Sequence, residues 1–319
     1  MDIVPILKGV ATYFVPPGNA GFLFRSAPHE TDRPAPYCYG VWLKHLSLLG
    51  QQGCIANAGH VAEFGPGSTL GTGLAALLSG AETYSGFDVL PFASFDVCDA
   101  QLDELAELFR KRAGRPTPGF PAFEHLLDEN LFPAQFITSD VLDRASSPER
   151  IAAIHAAIDS LRKGEKSDLI HYRAPWASAA EPAPESIDLI FTQSVLQYIE
   201  DLDGFYSLCR RWLKRSGWMS HHIDLTSMQV TRLWNGHWAY PPRVWKLVRG
   251  KRPFFHTART ASEHLSALER SGFEIRNVVR GTKHGISRRD LATFRRHMSD
   301  QDLECTTLFV IAQKVACRS

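Results

Sequence analysis

The fold is decided by His60-Val61-Ala62-Glu63-Phe64-Gly65-Pro66-Gly67-Ser68-Thr69-Leu70-Gly71. The first five residues are a short, mostly apolar run, and the rest is a glycine-rich turn. Gly73 to Leu78 has helix-forming composition and stops at Ser79-Gly80, a suitable C-terminal cap. Thr83 to Phe87 then reads as a second strand, ending in the carboxylate of Asp88. Strand, glycine turn, helix, strand and acid, in that order, predict a right-handed βαβ unit opening a parallel sheet.

Upstream, residues 1–36 are rich in proline and glycine and read as an N-terminal arm. Its first stretch, MDIVPILKGVATYFVPP, lacks the pattern of a secretory signal. It reads as a strand or short helix docking on the body, with a membrane-surface or partner-binding segment as the alternative. Tyr37 to Leu49 sets Trp42, Leu46 and Leu49 on one face, so residues 1–50 are expected to be an arm and a packing helix.

Downstream, residues 89–167 are long for a crossover, and two helical patches, 99–112 and 147–163, mark them as an insertion around the bend GRPTPGFPAF. Strands are expected at 168–172 and 186–192, a helix at 195–213, a strand at 218–225, a helix at 262–271, and strands at 273–279 and 306–315. Seven strands with helices between most of them predict an α/β fold, a doubly wound, mostly parallel sheet forming one decorated domain over residues 51–319.

Composition narrows the function. The chain has 319 residues, 44% hydrophobic, with 35 Lys+Arg against 34 Asp+Glu. A net charge of +1 makes a nucleic-acid partner unlike this chain, which lacks the usual basic excess. No apolar run reaches the length of a membrane span, although peripheral membrane contact stays open. Six scattered cysteines without a CxxC pair indicate neither zinc nor a redox dithiol, and a reducing cytoplasm is the expected location.

Three ligand classes use a glycine turn between strand and helix. A phosphate loop needs a Gly-Lys-Ser/Thr ending, and Gly71-Thr72-Gly73 has no lysine. A dinucleotide site wants G-x-G-x-x-G, but Leu70 takes the third glycine's place. Glu63, two residues before the first glycine, would sit badly beside a pyrophosphate and well beside a cation. These residues, with Gly71, Asp88, the Tyr172–Trp176 loop, the run 188–199 and the join 213–218, resemble the class I S-adenosylmethionine-dependent methyltransferases. The resemblance covers roughly residues 55–90 and 168–225.

The resemblance implies S-adenosylmethionine as cofactor and a Rossmann-like methyltransferase fold. Gly65, Pro66, Gly67 and Ser68 would pass close to its amino acid tail and ribose. Glu63 would take the amino group, and Asp88 with Val89 would meet the ribose. Trp176 would flank the adenine or anchor its own loop. Gln193 and Ser194 fall at the carboxyl end of the fourth strand, and Tyr198 lies one turn on. No metal is expected.

For the acceptor, Ser220-His221-His222-Ile223-Asp224 supplies candidates. Alternation puts His222 and Asp224 on one face, a possible base and orienter, and His221 on the other. Residues 226–262 mix Trp234, His237, Trp238, Tyr240 and Trp245 with arginine and lysine, and are expected to cap the acceptor, a small molecule or glycan. The leading expectation is methyl transfer to an oxygen. The alternatives are an NAD(P)-dependent oxidoreductase, or a non-catalytic protein of the same fold that binds S-adenosylmethionine.

Overall fold

A computed structural model describes residues 2–14, 33–54, 59–114, 132–176, 181–252 and 254–315. The bend GRPTPGFPAF lies outside the described residues except for its first glycine. Among the described residues, seven strands form one sheet: β1 (His60–Phe64), β2 (Thr83–Phe87), β3 (Ile170–Arg173), β4 (Ile187–Gln193), β5 (Leu213–Asp224), β6 (Phe273–Thr282) and β7 (Cys305–Lys314). Their order is β3-β2-β1-β4-β5-β7-β6. The strands from β3 to β5 run parallel, and β7 runs antiparallel to both its neighbours. The expected doubly wound, Rossmann-like sheet is therefore the sheet observed.

Alternation along each strand divides the core. Val61, Leu189, Phe191, Phe309 and Ile311 pack under one layer of helices: α2 (Ala35–Gln51), α3 (Gly71–Leu77), α4 (Cys98–Arg110), α5 (Ser139–Ala145) and α6 (Pro148–Arg162). Ala62, Phe64, Ile190, Met219 and Val310 face α7 (Leu202–Trp212) and α9 (Ala261–Arg270). Phe64 stacks on Trp212, their planes 9° apart. Local signals set the ends: Ser147 caps α6, and Thr260 with Glu263 closes a capping box on α9.

Three expectations need correcting. The first is the helix at 195–213. A 3-10 turn at Leu196–Tyr198 comes first, and α7 begins only after Asp201, whose carboxylate accepts the Gly204 N–H at 2.9 Å. That strong cap starts a new helix rather than continuing an old one. The second is the start of β5, at Leu213 rather than Trp218, because Leu213 pairs with Ile187 ahead of a bulge in the register. Third, α2 is buried along nearly its whole circumference, not on one face. The arm's first stretch, expected as a strand or short helix docking on the body, is a short helix, α1 (Val4–Ala11), docked on α8 (Pro242–Arg249). Pro5 in its first turn and the Asp2 carboxylate on the Val4 N–H start that helix.

A third apolar cluster gathers Trp238, Tyr240, Trp245, Val248 and Phe255. Most aromatics of residues 226–262 are thus interior, while Phe254, Arg243, Lys246 and Lys251 stay exposed. A short helix, α10 (Asp300–Leu303), precedes β7.

Candidate functional site

Parallel strands deliver their carboxyl ends to one edge, so the turns after β1, β2 and β4 meet there. The turn after β1 passes Gly65 and Gly67 at φ +74° and +73°, a left-handed backbone that glycine adopts without strain. A Cβ on Gly65 would collide with Val195, and one on Gly67 would press on the Arg33 guanidinium. Arg33 donates to the Pro66 carbonyl at 2.9 Å.

Asp88 ties the edge together. Its Oδ2 accepts the Gly67 N–H at 3.1 Å and its Oδ1 the Val89 N–H at 2.7 Å. Burial raises its pKa above the usual carboxylate value, and these backbone donors pull it back. The Asp88 carbonyl accepts the Trp176 N–H at 2.8 Å, while the Trp176 ring meets Phe64 edge-on at 5.6 Å. These contacts tie the Trp176 loop to β1 and to the end of β2.

Glu63 lies fully inside. Tyr84 donates to its Oε2 at 2.7 Å, and its Oε1 has no hydrogen-bond partner among the described residues. Burial lifts its pKa to about 7, against the Tyr84 hydrogen bond and the Arg33 charge, which pull it down. A buried carboxylate with an open lone pair is a receptor for a cation.

At the end of β4, Ser194 takes a φ of +57° and its N–H donates to the His222 carbonyl at 2.9 Å. His222 Nδ1 faces Gln193 Nε2 at 3.2 Å and Ser194 Oγ at 3.1 Å. Gln193 Oε1 accepts from Lys44 Nζ at 3.0 Å. Lys44 and His45 come from α2, and His45 Nδ1 meets Ser220 Oγ at 2.6 Å. Burial brings the Lys44 pKa down to about 7. Burial, then the Lys44 charge, hold His222 well below the usual histidine value.

The structure thus brings together Glu63, the glycine turn with Pro66 and Ser68, Asp88 and Val89, and separately Gln193, Ser194 and His222. It does not join His222 to Asp224: neither ring nitrogen of His222 bonds that carboxylate, whose Oδ1 accepts the Thr226 N–H at 2.8 Å. His221 points into the opposite core, where its ring lies among Phe205 and Tyr206, and burial lowers its pKa to about 3. Tyr198 donates to Met228 Sδ at 2.7 Å and feels the Asp224 charge.

Sequence reasoning missed Arg33, Lys44, His45 and Tyr84. One signal was present: Lys44-His45 interrupts YCYGVWLKHLSLL, a run apolar on all sides, where a cation must be buried.

No family model matches the chain, and no curated protein matches it. Solved structures similar to it include S-adenosylmethionine-dependent methyltransferases. One from Mesorhizobium loti is 14% identical, covering 89% of this chain and 100% of its own, with a TM-score of 0.42. Another, from Methanosarcina mazei, is 13% identical over 81% and 93%, with a TM-score of 0.42. Phosphoethanolamine N-methyltransferase 2 of Haemonchus contortus, in complex with S-adenosyl-L-methionine, is 15% identical over 86% and 53%, with a TM-score of 0.44. Likeness at this level assigns no activity, so ligand chemistry has to come from the residues themselves. Strand order, glycine turn and paired acids make this a doubly wound, Rossmann-like α/β chain, its polar groups gathered at the carboxyl edge of β1, β2 and β4.

Proposed function

We propose that the chain is an S-adenosylmethionine-dependent methyltransferase acting on an oxygen of a small-molecule or glycan acceptor. One observation carries this reading: the buried Glu63 carboxylate, one oxygen unpartnered, beside a glycine turn that Asp88 clamps. A pyrophosphate would be repelled there, and an ammonium would be held. When bound, S-adenosylmethionine supplies a methyl group activated on a sulfonium.

The chain's own residues do the rest. Glu63 binds the ligand's amino group. Gly65, Pro66, Gly67 and Ser68 let the backbone approach it, and the free lone pairs of Asp88, beside Val89, accept from the ribose hydroxyls. Gln193 and Ser194 border the reacting end, with Tyr198 behind them. Displacement at an activated carbon mainly requires the acceptor to be held in line. Ser194 Oγ positions the acceptor hydroxyl, and His222 Nδ1, 3.1 Å behind it, takes the proton. Asp224 and the cationic segment 226–262 border the acceptor. Buried thiols such as Cys38 and Cys209 suit a reducing cytoplasm.

Calorimetry tests the reading with S-adenosylhomocysteine and NADH on wild type and Asp88→Ala. Binding of the homocysteine compound alone, lost in Asp88→Ala, is expected. Binding of NADH alone would overturn the proposal. His222→Gln is expected to keep that affinity and lose turnover with an acceptor.

A further inference from the structure

Helix α1 is inside out. Its docked side carries Pro5, Gly9 and Thr12, with Ile6 packing on the third apolar cluster, while Ile3, Leu7 and Phe14 stand 63%, 59% and 82% exposed. Ile3 and Leu7 are one turn apart, opposite Pro5 and Gly9, so they form an outward stripe. Docking is nonetheless specific. Gly9 has no Cβ, and one would collide with the Leu247 and Val248 carbonyls of α8. Thr12 Oγ1 accepts the Lys251 N–H at 2.8 Å, and Tyr240 donates to the Asp2 carbonyl at 2.7 Å. A segment fixed with Ile3, Leu7 and Phe14 in water is built for another apolar medium.

The neighbouring surface is cationic. Between Asp224 and Glu263 the chain carries seven arginines and lysines and no carboxylate, in a protein of net charge +1. On α8, Trp245 and Val248 point inward, and Arg243, Lys246 and Leu247 outward. Lys251 lies over the Tyr13 ring at 5.7 Å. Two carboxylates stand close by: Asp2 caps α1, and Glu200 pairs with Arg249. The apolar edge continues through Phe254 to Phe92, their rings 6.3 Å apart, in the loop that follows Asp88.

We infer that α1 and α8 dock the protein on an anionic phospholipid bilayer. Ile3, Leu7 and Phe14 enter the interface, while Arg243, Lys246 and Lys251 meet the headgroups. This pairing of apolar insertion with surrounding cations fits a charged lipid surface, which offers both partners at once. The contact places the Asp88–Phe92 loop beside the bilayer, and it stands independently of the methyl-transfer reading.

Vesicle sedimentation of the full chain tests it, using phosphatidylcholine alone and phosphatidylcholine mixed with phosphatidylserine. Binding to the mixed vesicles only, weakening with salt, is expected. Lys246→Glu with Lys251→Glu should lower partitioning by more than about tenfold, since each surface cation contributes about 1 kcal/mol. Ile3→Ser with Leu7→Ser and Phe14→Ser should abolish it, with melting temperature little changed because these side chains are mostly exposed. Equal binding to both vesicle types would overturn the inference. So would unchanged binding by the variants, or loss of a wild-type dimer in the triple-serine variant without any vesicle binding, which would make the face an interface between copies.

Discussion

Lys44 Nζ donates to Gln193 Oε1 at 3.0 Å, deep between α2 and the sheet. An ammonium or amine of lysine here acts as donor, so the amide oxygen must face it, and the amide N–H must face His222. His222 Nδ1 is then an acceptor, and the ring proton of the neutral imidazole sits on Nε2. A side chain on a helix outside the βαβ unit thereby sets the tautomer of a histidine on β5.

That tautomer is open to measurement. Nitrogen-15 NMR of His222 should show a protonated Nε2 and an unprotonated Nδ1, unchanged from pH 8 to pH 6 because burial disfavours the cation. In Lys44→Met the amide is no longer fixed, and a mixture of tautomers is expected. A protonated Nδ1 in wild type would refute the arrangement.

Lys44 also makes stability depend on pH. Its folded value, about 7, lies below the ordinary 10.5. Between those values the unfolded chain holds more protons, so stability rises with pH across that window and is lost as pH falls through 7. At about 1.4 kcal/mol per unit, burying this lysine costs a few kcal/mol in acid. Lys44→Met should raise the melting temperature more at pH 6 than at pH 9; an equal rise at both would contradict this. The positive charge also opposes protonation of His222, so turnover should climb through pH 7 in wild type and lose that inflection in the variant.

Glu63 runs the other way. Its folded value of about 7 lies above the ordinary 4.5, so the folded chain holds more protons between them. Stability is full below about 4.5 and falls as pH rises through 7. Glu63→Gln should be more stable than wild type at pH 8, by a few kcal/mol at about 1.4 kcal/mol per unit. It should also bind S-adenosylhomocysteine more weakly. Wild type should release a proton on that binding near pH 6.5, seen as a dependence of calorimetric heat on buffer ionisation. Heat independent of buffer would count against Glu63 as the ammonium's partner.

The glycine turn separates strain from binding. Gly67→Ala must hold an alanine at φ +73° beside Arg33, at about 1–2 kcal/mol of backbone strain. The protein should fold with a modestly lower melting temperature and lose more than about tenfold in affinity for S-adenosylhomocysteine. Affinity falling no further than stability does would mean the turn serves only the chain's own folding.

The succession of strands and helices along the chain was legible because the buried parallel strands are short apolar runs, and glycine, serine or proline punctuates the helices between them. Glu63, Gly65, Gly67 and Asp88 were legible for the same reason, since their spacing from strand ends fixes the edge they reach. Helix breaks were harder. Asp201 looks like any acid in a polar stretch until its carboxylate is seen on the Gly204 N–H. The aromatics of 226–262 gave no period because they fill a small core from several directions rather than one helix face.

The sequence by itself determined the doubly wound sheet and which acids lie at its carboxyl edge, because both follow from local periodicity and chain order. Tertiary structure alone decided that Lys44 governs Gln193 and His222, that Asp224 is not the partner of His222, and that Ile3 and Leu7 face outward while Ile6 packs inward. The first joins residues distant in the chain through packing between elements, the second turns on which groups each side chain meets across its own sheet edge, and the third on which side of a helix its neighbours cover; spacing along the chain records none of these.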